Sequence, residues 1–247
     1  MNVSDGTILV TGSNGGLGSH VVKYLLEKGF RNLACHYRGS DVEIRRVLSS
    51  FDLDPAKHTF FAELTSEEDI HRMRVAIEDK LGPVLTLINL AGGSSNGLSW
   101  KLSKQDFQHV VDMNLMSTFL CSKEFIPTMR AHAFGTIINT SSVIGTTGVA
   151  GASHYCAAKA AVVGLTKATA LELASKNVTV NVIALGYFSE GIITQIPEAI
   201  LQTIVEKIRA RRLGNPAEIG AMIAFLISDG ARYATGQTFH LNGGLYL

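Results

Sequence analysis

Seven short runs of apolar and β-branched residues recur along the chain, at 7–10, 32–37, 59–62, 84–90, 135–140, 178–184 and 238–241. Such runs predict strands. Between them the apolar spacing changes to about 3.6 residues, as in Val21, Val22, Leu25 and Leu26, which predicts helices. Helix starts are signalled by Thr65 with Glu68, by Ser103 with Asp106, and by Asn215 followed by Pro216. Near-continuous apolar strands alternating with helices predict an α/β fold, a doubly wound parallel sheet covered on both faces. No repeat, linker or low-complexity stretch interrupts the alternation, so residues 1–247 are read as a single domain.

Composition adds exclusions. Hydrophobic residues make up 46% and charged residues 17% of the 247 positions, the balance of a globular protein. A net charge of +1 offers no electrostatic footprint for nucleic acid or an anionic membrane. No run reaches the ~18 apolar residues of a membrane span. Cys35, Cys121 and Cys156 are odd in number and widely separated, which argues against a disulfide framework or a metal site and for a reducing, cytoplasmic setting.

In a doubly wound sheet, ligands bind beyond the carboxyl ends of the strands. The first run leads into Thr11-Gly-Ser-Asn-Gly-Gly-Leu-Gly18, and a helix follows. Gly12, Gly16 and Gly18 let the backbone turn and approach a pyrophosphate at the helix N-terminus, where free N–H groups and the helix dipole favour negative charge. The second run ends in Tyr37, Arg38, Gly39 and Ser40, with no acid before Asp41. Acids there select NAD, whereas arginine accommodates the 2′-phosphate of NADP. Arg38 is therefore a candidate phosphate clamp, and NADP(H) is favoured over NAD(H); the alternative is a solvated surface arginine.

Tyr155 and Lys159 stand four apart at the start of a long Ala-rich helix, on one helix face. A free tyrosine, with a pKa of about 10, is a poor acid near neutrality, and a neighbouring ammonium is expected to lower that value. Ser142, just past the fifth run, is a candidate for hydrogen-bonding a substrate carbonyl. Chance alone supplies roughly 0.3 such Tyr-Lys pairs, and requiring the upstream serine lowers this to roughly 0.02.

These residues resemble the short-chain dehydrogenase/reductase family, and more narrowly its 3-oxoacyl-acyl-carrier-protein reductases. The resemblance spans residues 5–247. It includes the glycine turn, Asn89-Leu-Ala-Gly92, Asn114, Ser142, Tyr155, Lys159, Arg212-Leu-Gly-Asn-Pro216 and the tail Leu241-Asn-Gly-Gly-Leu-Tyr-Leu247. It implies seven parallel strands ordered 3-2-1-4-5-6-7 and a homotetramer. It implies a thioester or small-molecule carbonyl substrate, with acyl carrier protein as a partner. Tyr155 would donate the proton, Ser142 would polarise the carbonyl, and Lys159 would hold the nicotinamide ribose. Asn114 would anchor a water leading to Lys159. Cofactor contacts would come from Gly12, Ser13, Asn14, Gly16, Leu17 and Gly18, and from Tyr37, Arg38, Glu63 and Leu64. Asn89, Ala91 and Gly92 would follow, with Tyr155, Lys159, Gly186 and Phe188.

Some positions depart from the family pattern. Leu90 replaces an asparagine, Glu63 an aspartate, Leu185 a proline and Glu190 a threonine that contacts the nicotinamide carboxamide. A carboxylate accepts from the carboxamide NH₂ but cannot donate to its oxygen. Residues 186–212 read as a substrate lid, with Ile192, Ile193 and Ile196 suited to an apolar chain. The rival readings are a dehydrogenase of another secondary alcohol and a non-catalytic dinucleotide sensor; the complete catalytic set argues against the sensor.

Overall fold

In a computed structural model, residues 6–191, 193 and 198–247 are described. The chain runs β1 (Thr7–Val10), α1 (Gly16–Glu27), β2 (Leu33–Tyr37), α2 (Val42–Ser49), α3 (Pro55–His58), β3 (Thr59–Phe61) and α4 (Glu67–Leu81). It continues through β4 (Val84–Asn89), α5 (Lys104–Val111), a π-helical turn (Asp112–Met116), α6 (Ser117–Ala131) and β5 (Gly135–Ser142). Then come α7 (Ile144–Thr147), α8 (Ser153–Leu173), β6 (Val178–Leu185), α9 (Glu198–Lys207), α10 (Pro216–Leu226) and β7 (Thr238–Leu241).

The strands form one parallel sheet in the order β3-β2-β1-β4-β5-β6-β7, as the pattern and the resemblance predicted. Alternate strand residues feed two cores. Ile8, Val10, Ile88, Ile138 and Ile183 pack with Leu25 of α1 and Ile219 of α10 on one face. Leu9, Leu87, Ile137 and Val180 pack with Ile77 of α4 and Phe125 of α6 on the other. Every residue of β1, β4 and β6 is buried, which is why these strands read as unbroken apolar runs and not as alternating ones.

Two capping signals hold as read: Ser103 forms a capping box with Asp106, and Asn215 caps α10 with Pro216 in its first turn, where Glu218 adds a capping box that the reading had not named. The third shifts by one residue. Ser66, not Thr65, caps α4 through the Asp69 N–H, and Thr65 instead donates its hydroxyl to Glu63. The larger differences lie at the strand ends that face the site. β5 and β6 run longer than the pattern predicts, because Ser141 pairs with Ala184 and Ser142 with Leu185 across the sheet. Leu185 also pairs with Leu241 of β7. Leu185 carries a backbone N–H, which a proline would lack, so it is compatible with the ladder at the end of β6. Ser142 is thus the last residue of a strand, not a loop residue beyond it.

Among the described residues no helix is long and apolar enough to cross a membrane.

Candidate active site

The strand order reverses between β1 and β4, and there a cleft of about 1330 Å³ opens beyond the carboxyl ends of β1 to β6. Its walls include Gly12, Asn14 to Gly18, Tyr37 and Arg38, Glu63 and Leu64, Leu90 to Gly93, Ser142, Tyr155, Lys159 and Gly186 to Phe188. Asn14, Gly16, Leu17, Ala91 and Gly92, candidate cofactor residues from the sequence, are among them.

At one end, α1 begins without help from any side chain. Its N-cap is Gly15, no side-chain cap bond is made, and its first turn carries no acid. Helices α4, α5 and α10 each have a side-chain cap. The uncapped N–H groups and the dipole of α1 therefore face the cleft free for an anion, and this fits the pyrophosphate of a dinucleotide. Around this turn, Thr11 Oγ1 accepts from the N–H groups of Leu90 (3.0 Å) and Ala91 (3.1 Å), joining the ends of β1 and β4. Asn14 Oδ1 accepts from the N–H of Ile44 (2.9 Å), tying the turn to α2.

A residue that the sequence reading passed over completes this end. His36 lies buried in β2; its Nδ1 accepts from the Gly12 N–H (3.0 Å) and its Nε2 lies 3.0 Å from the carbonyl of Ala62. A peptide N–H facing one nitrogen and a carbonyl facing the other require the neutral ring with the proton on Nε2. Burial lowers its pKa to about 4, so this arrangement survives at neutral pH. The only sequence signal was a histidine inside an apolar strand.

Two expected cofactor residues lie behind the wall. Ser13 is buried and donates to the carbonyl of His36 (2.8 Å). Asn89 donates to Asn139 Oδ1 (2.9 Å) and Ser122 Oγ (3.3 Å), while Asn139 in turn donates to Thr166 (2.9 Å). Their side chains brace the strands that carry the cleft. Leu90, in place of an amide, packs against the core formed with α1 and α10. Trp100 is exposed and lies outside the cleft wall.

At the other end, Ser142 closes β5 and Tyr155 and Lys159 descend from α8. Lys159 Nζ lies 5.6 Å from the Tyr155 ring centroid and donates to the carbonyl of Thr140 (2.9 Å). Ser141 Oγ donates to the Lys159 carbonyl (2.7 Å), so the lysine is held by β5 at both its backbone and its amine. Asn114 sits in the π-helical turn, where the widened backbone re-aims a side chain. It is buried, and its Nδ2 donates to the carbonyls of Gly93 (2.7 Å) and Val110 (2.8 Å). Asn114 and Lys159 meet at Gly92: a Cβ there would stand 2.6 Å from Asn114 Oδ1 and 3.4 Å from Lys159 Nζ.

The acid–base balance corrects one expectation. Burial pushes the Tyr155 phenol up to about 12, against the opposing pull of Ser142, and the lysine does not reverse this. Tyr155 is therefore a phenol throughout the neutral range, the form that a proton donor requires. Burial lowers the Lys159 ammonium to about 8. The charged form is thus present below about pH 8 and lost above it. Accordingly, kcat/KM for the reduced cofactor, which reports the free enzyme, is expected to fall as pH rises through about 8. A profile flat to pH 10 would remove Lys159 from that role.

Over the cofactor end, the segment after β6 approaches the glycine turn. A Cβ on Gly16 would meet the backbone nitrogen of Gly191 at 2.8 Å. Glu190 lines the cleft beside this approach, so its backbone lies near the N-terminus of α1. Ile193 is buried and lines the cleft; Ile192 and Ile196 lie outside the described residues. Helix α9 adds Ile200 and Ile204 to the same wall.

Comparison with known proteins agrees with this geometry. Residues 12–246 match the family model described as enoyl-(acyl carrier protein) reductase. The chain is a short-chain dehydrogenase/reductase. The 3-oxoacyl-(acyl-carrier-protein) reductase FabG of Staphylococcus epidermidis is 34% identical over 240 residues, covering 97% of this chain and 98% of that protein. The FabG of Vibrio cholerae is 35% identical over 247 residues, the full length of both. Nodulation protein G of a Rhizobium species is 34% identical over 237 residues, 96% of this chain and 95% of that one. As a member of this family, the chain is an NAD(P)-dependent oxidoreductase acting on CH–OH and C=O groups.

Proposed function

We propose that this reductase converts a 3-oxoacyl thioester, carried by acyl carrier protein or coenzyme A, to the 3-hydroxyacyl thioester using NADPH. The carrying observation is the placement of Ser142, Tyr155 and Lys159 in the same cleft as the uncapped N-terminus of α1. The reduced nicotinamide supplies a hydride when bound. Ser142 orients and polarises the carbonyl oxygen, and the Tyr155 phenol gives that oxygen its proton as the alcohol forms. The Lys159 ammonium, fixed by Thr140, holds positive charge beside the phenol and hydrogen-bonds the ribose; Asn114 places Gly93 and the floor beneath it. Arg38, at the mouth of the cleft, meets the 2′-phosphate that distinguishes NADPH. Ile193, Ile200 and Ile204 offer an apolar wall to the acyl chain, and the relatives named as 3-oxoacyl reductases support the thioester assignment.

A homotetramer fits the surface: Phe107 of α5, Phe119 of α6 and Leu171 of α8 are large apolar side chains left exposed by the single chain. Acyl carrier protein is the partner that this substrate implies.

Mixing the protein with NADPH and acetoacetyl-CoA should cause loss of reduced-nicotinamide absorbance, in proportion to 3-hydroxybutyryl-CoA formed. Dinucleotide binding without turnover on this thioester or on a panel of other ketones would overturn the reductase reading. Turnover of simple ketones alone would overturn the thioester.

A further inference from the structure

The adenosine end of the cleft carries two charges of opposite sign on neighbouring strand ends. Arg38 follows β2 and Glu63 follows β3; both line the cleft, and Arg38 Nη1 stands 3.4 Å from Glu63 Oε2. Glu63 is not a swinging partner. Its other oxygen, Oε1, accepts from the N–H (3.3 Å) and the hydroxyl (3.1 Å) of Thr65, which hold the carboxylate in place. Burial alone would raise the Glu63 pKa, yet the Thr65 bonds and the Arg38 charge take it below the usual range, so it stays ionised at neutral pH. The other cations of this corner are also engaged: Arg45 pairs with Asp41 and Arg46 with Glu43.

We propose that Glu63 competes with the 2′-phosphate of the cofactor for Arg38, and that this competition sets how strongly the site prefers NADP(H) over NAD(H). The proposal rests on the reading of Arg38 as the phosphate-binding residue. A guanidinium already facing a fixed carboxylate must give up part of that contact to take a phosphate, and the phosphate dianion arrives beside a like charge. NAD(H), with a free hydroxyl at the same place, meets neither cost. The extra methylene of Glu63 over aspartate extends the carboxylate towards Arg38. This chain therefore binds both dinucleotides, with a preference for the phosphorylated one that Glu63 restrains.

Calorimetric dissociation constants for NADP+ and NAD+ test this in the intact protein, in Glu63→Gln, in Arg38→Gln and in the double variant. Any contact of residue 63 with the adenine is common to both ligands, so the ratio of the two constants isolates the phosphate. Glu63→Gln is expected to raise the NADP+ preference about fivefold, the upper range for a partly exposed ion pair. Arg38→Gln is expected to weaken NADP+ about tenfold or more while NAD+ binding is kept, showing that the site is folded. In the Arg38→Gln background, Glu63→Gln should raise the ratio by clearly less than in the intact protein, because only the like-charge repulsion is then relieved. If Arg38→Gln does not affect NADP+, the phosphate clamp itself is wrong. If it does, but Glu63→Gln leaves the ratio at the starting value, or raises it equally without Arg38, competition for the arginine is overturned.

Discussion

Tyr155→Phe is expected to lower carbonyl reduction by about 10²- to 10⁴-fold, the range that a positioned proton donor contributes. The change removes one oxygen and keeps the ring, which lies with its centroid 5.6 Å from Lys159 Nζ. Dinucleotide affinity should therefore stay near its starting value, because the glycine turn, Arg38 and Lys159 are untouched. Hydride arriving at a carbonyl carbon leaves an alkoxide, a far stronger base than a phenolate. A phenol with a pKa of about 12 can still protonate it, and one that is never ionised at neutral pH is always ready to do so. Single-turnover absorbance with NADPH and acetoacetyl-CoA, alongside calorimetry of cofactor binding, separates the two effects. A variant that retains more than about a tenth of the rate would show that another group delivers the proton.

Gly18→Ala is expected to remove most of the cofactor affinity and to lower Tm by several degrees. A Cβ at this position falls on the carbonyl oxygen of Gly12, and it would stand 2.8 Å from the Ser13 backbone. Both neighbours are main chain and cannot rotate away. The turn is further pinned by the bond from the Gly12 N–H to His36 and by Ser13 to the His36 carbonyl. Relief must come from opening the turn, at about 1–3 kcal/mol or more, and this carries the free N–H groups of α1 away from the pyrophosphate. Thermal melting with and without NADP+ reads both effects. The ligand-induced rise in Tm should largely disappear, since it depends on binding to the folded state. A variant with an unchanged melting shift would mean that the turn is not the pyrophosphate cradle.

Much of the architecture was legible in local pattern. Seven apolar runs separated by helical spacing led to the observed sheet, and the glycine turn, Ser142, Tyr155 and Lys159 all reach one cleft. The differences share a cause. Ser142 was read beyond the strand because its partner Leu185 lies 43 residues away, and only the ladder between β5 and β6 keeps it in register. Asn89 and Ser13 are expected near a cofactor from their places along the chain, but the direction of each side chain is decided by neighbouring strands that offer Asn139 and the His36 carbonyl. His36 carried no periodic signal, because its role depends on Gly12 and Ala62 standing on either side of its ring.

What the amino-acid sequence determined by itself is the alternation of strand and helix, the place of the glycine turn at the start of α1, and the helical spacing that puts Tyr155 and Lys159 on one face. These depend on steric and hydrophobic preferences of nearby residues. Only the tertiary structure decided the electrostatics. Burial, not the neighbouring ammonium, governs the Tyr155 phenol, and burial also brings Lys159 to about 8. The pairing of Arg38 with Glu63 belongs to the same class, because the two residues stand 25 positions apart in the chain and meet only where β2 and β3 end side by side. Charge stability depends on what surrounds a group in space, and that surrounding is assembled from strands distant in the chain.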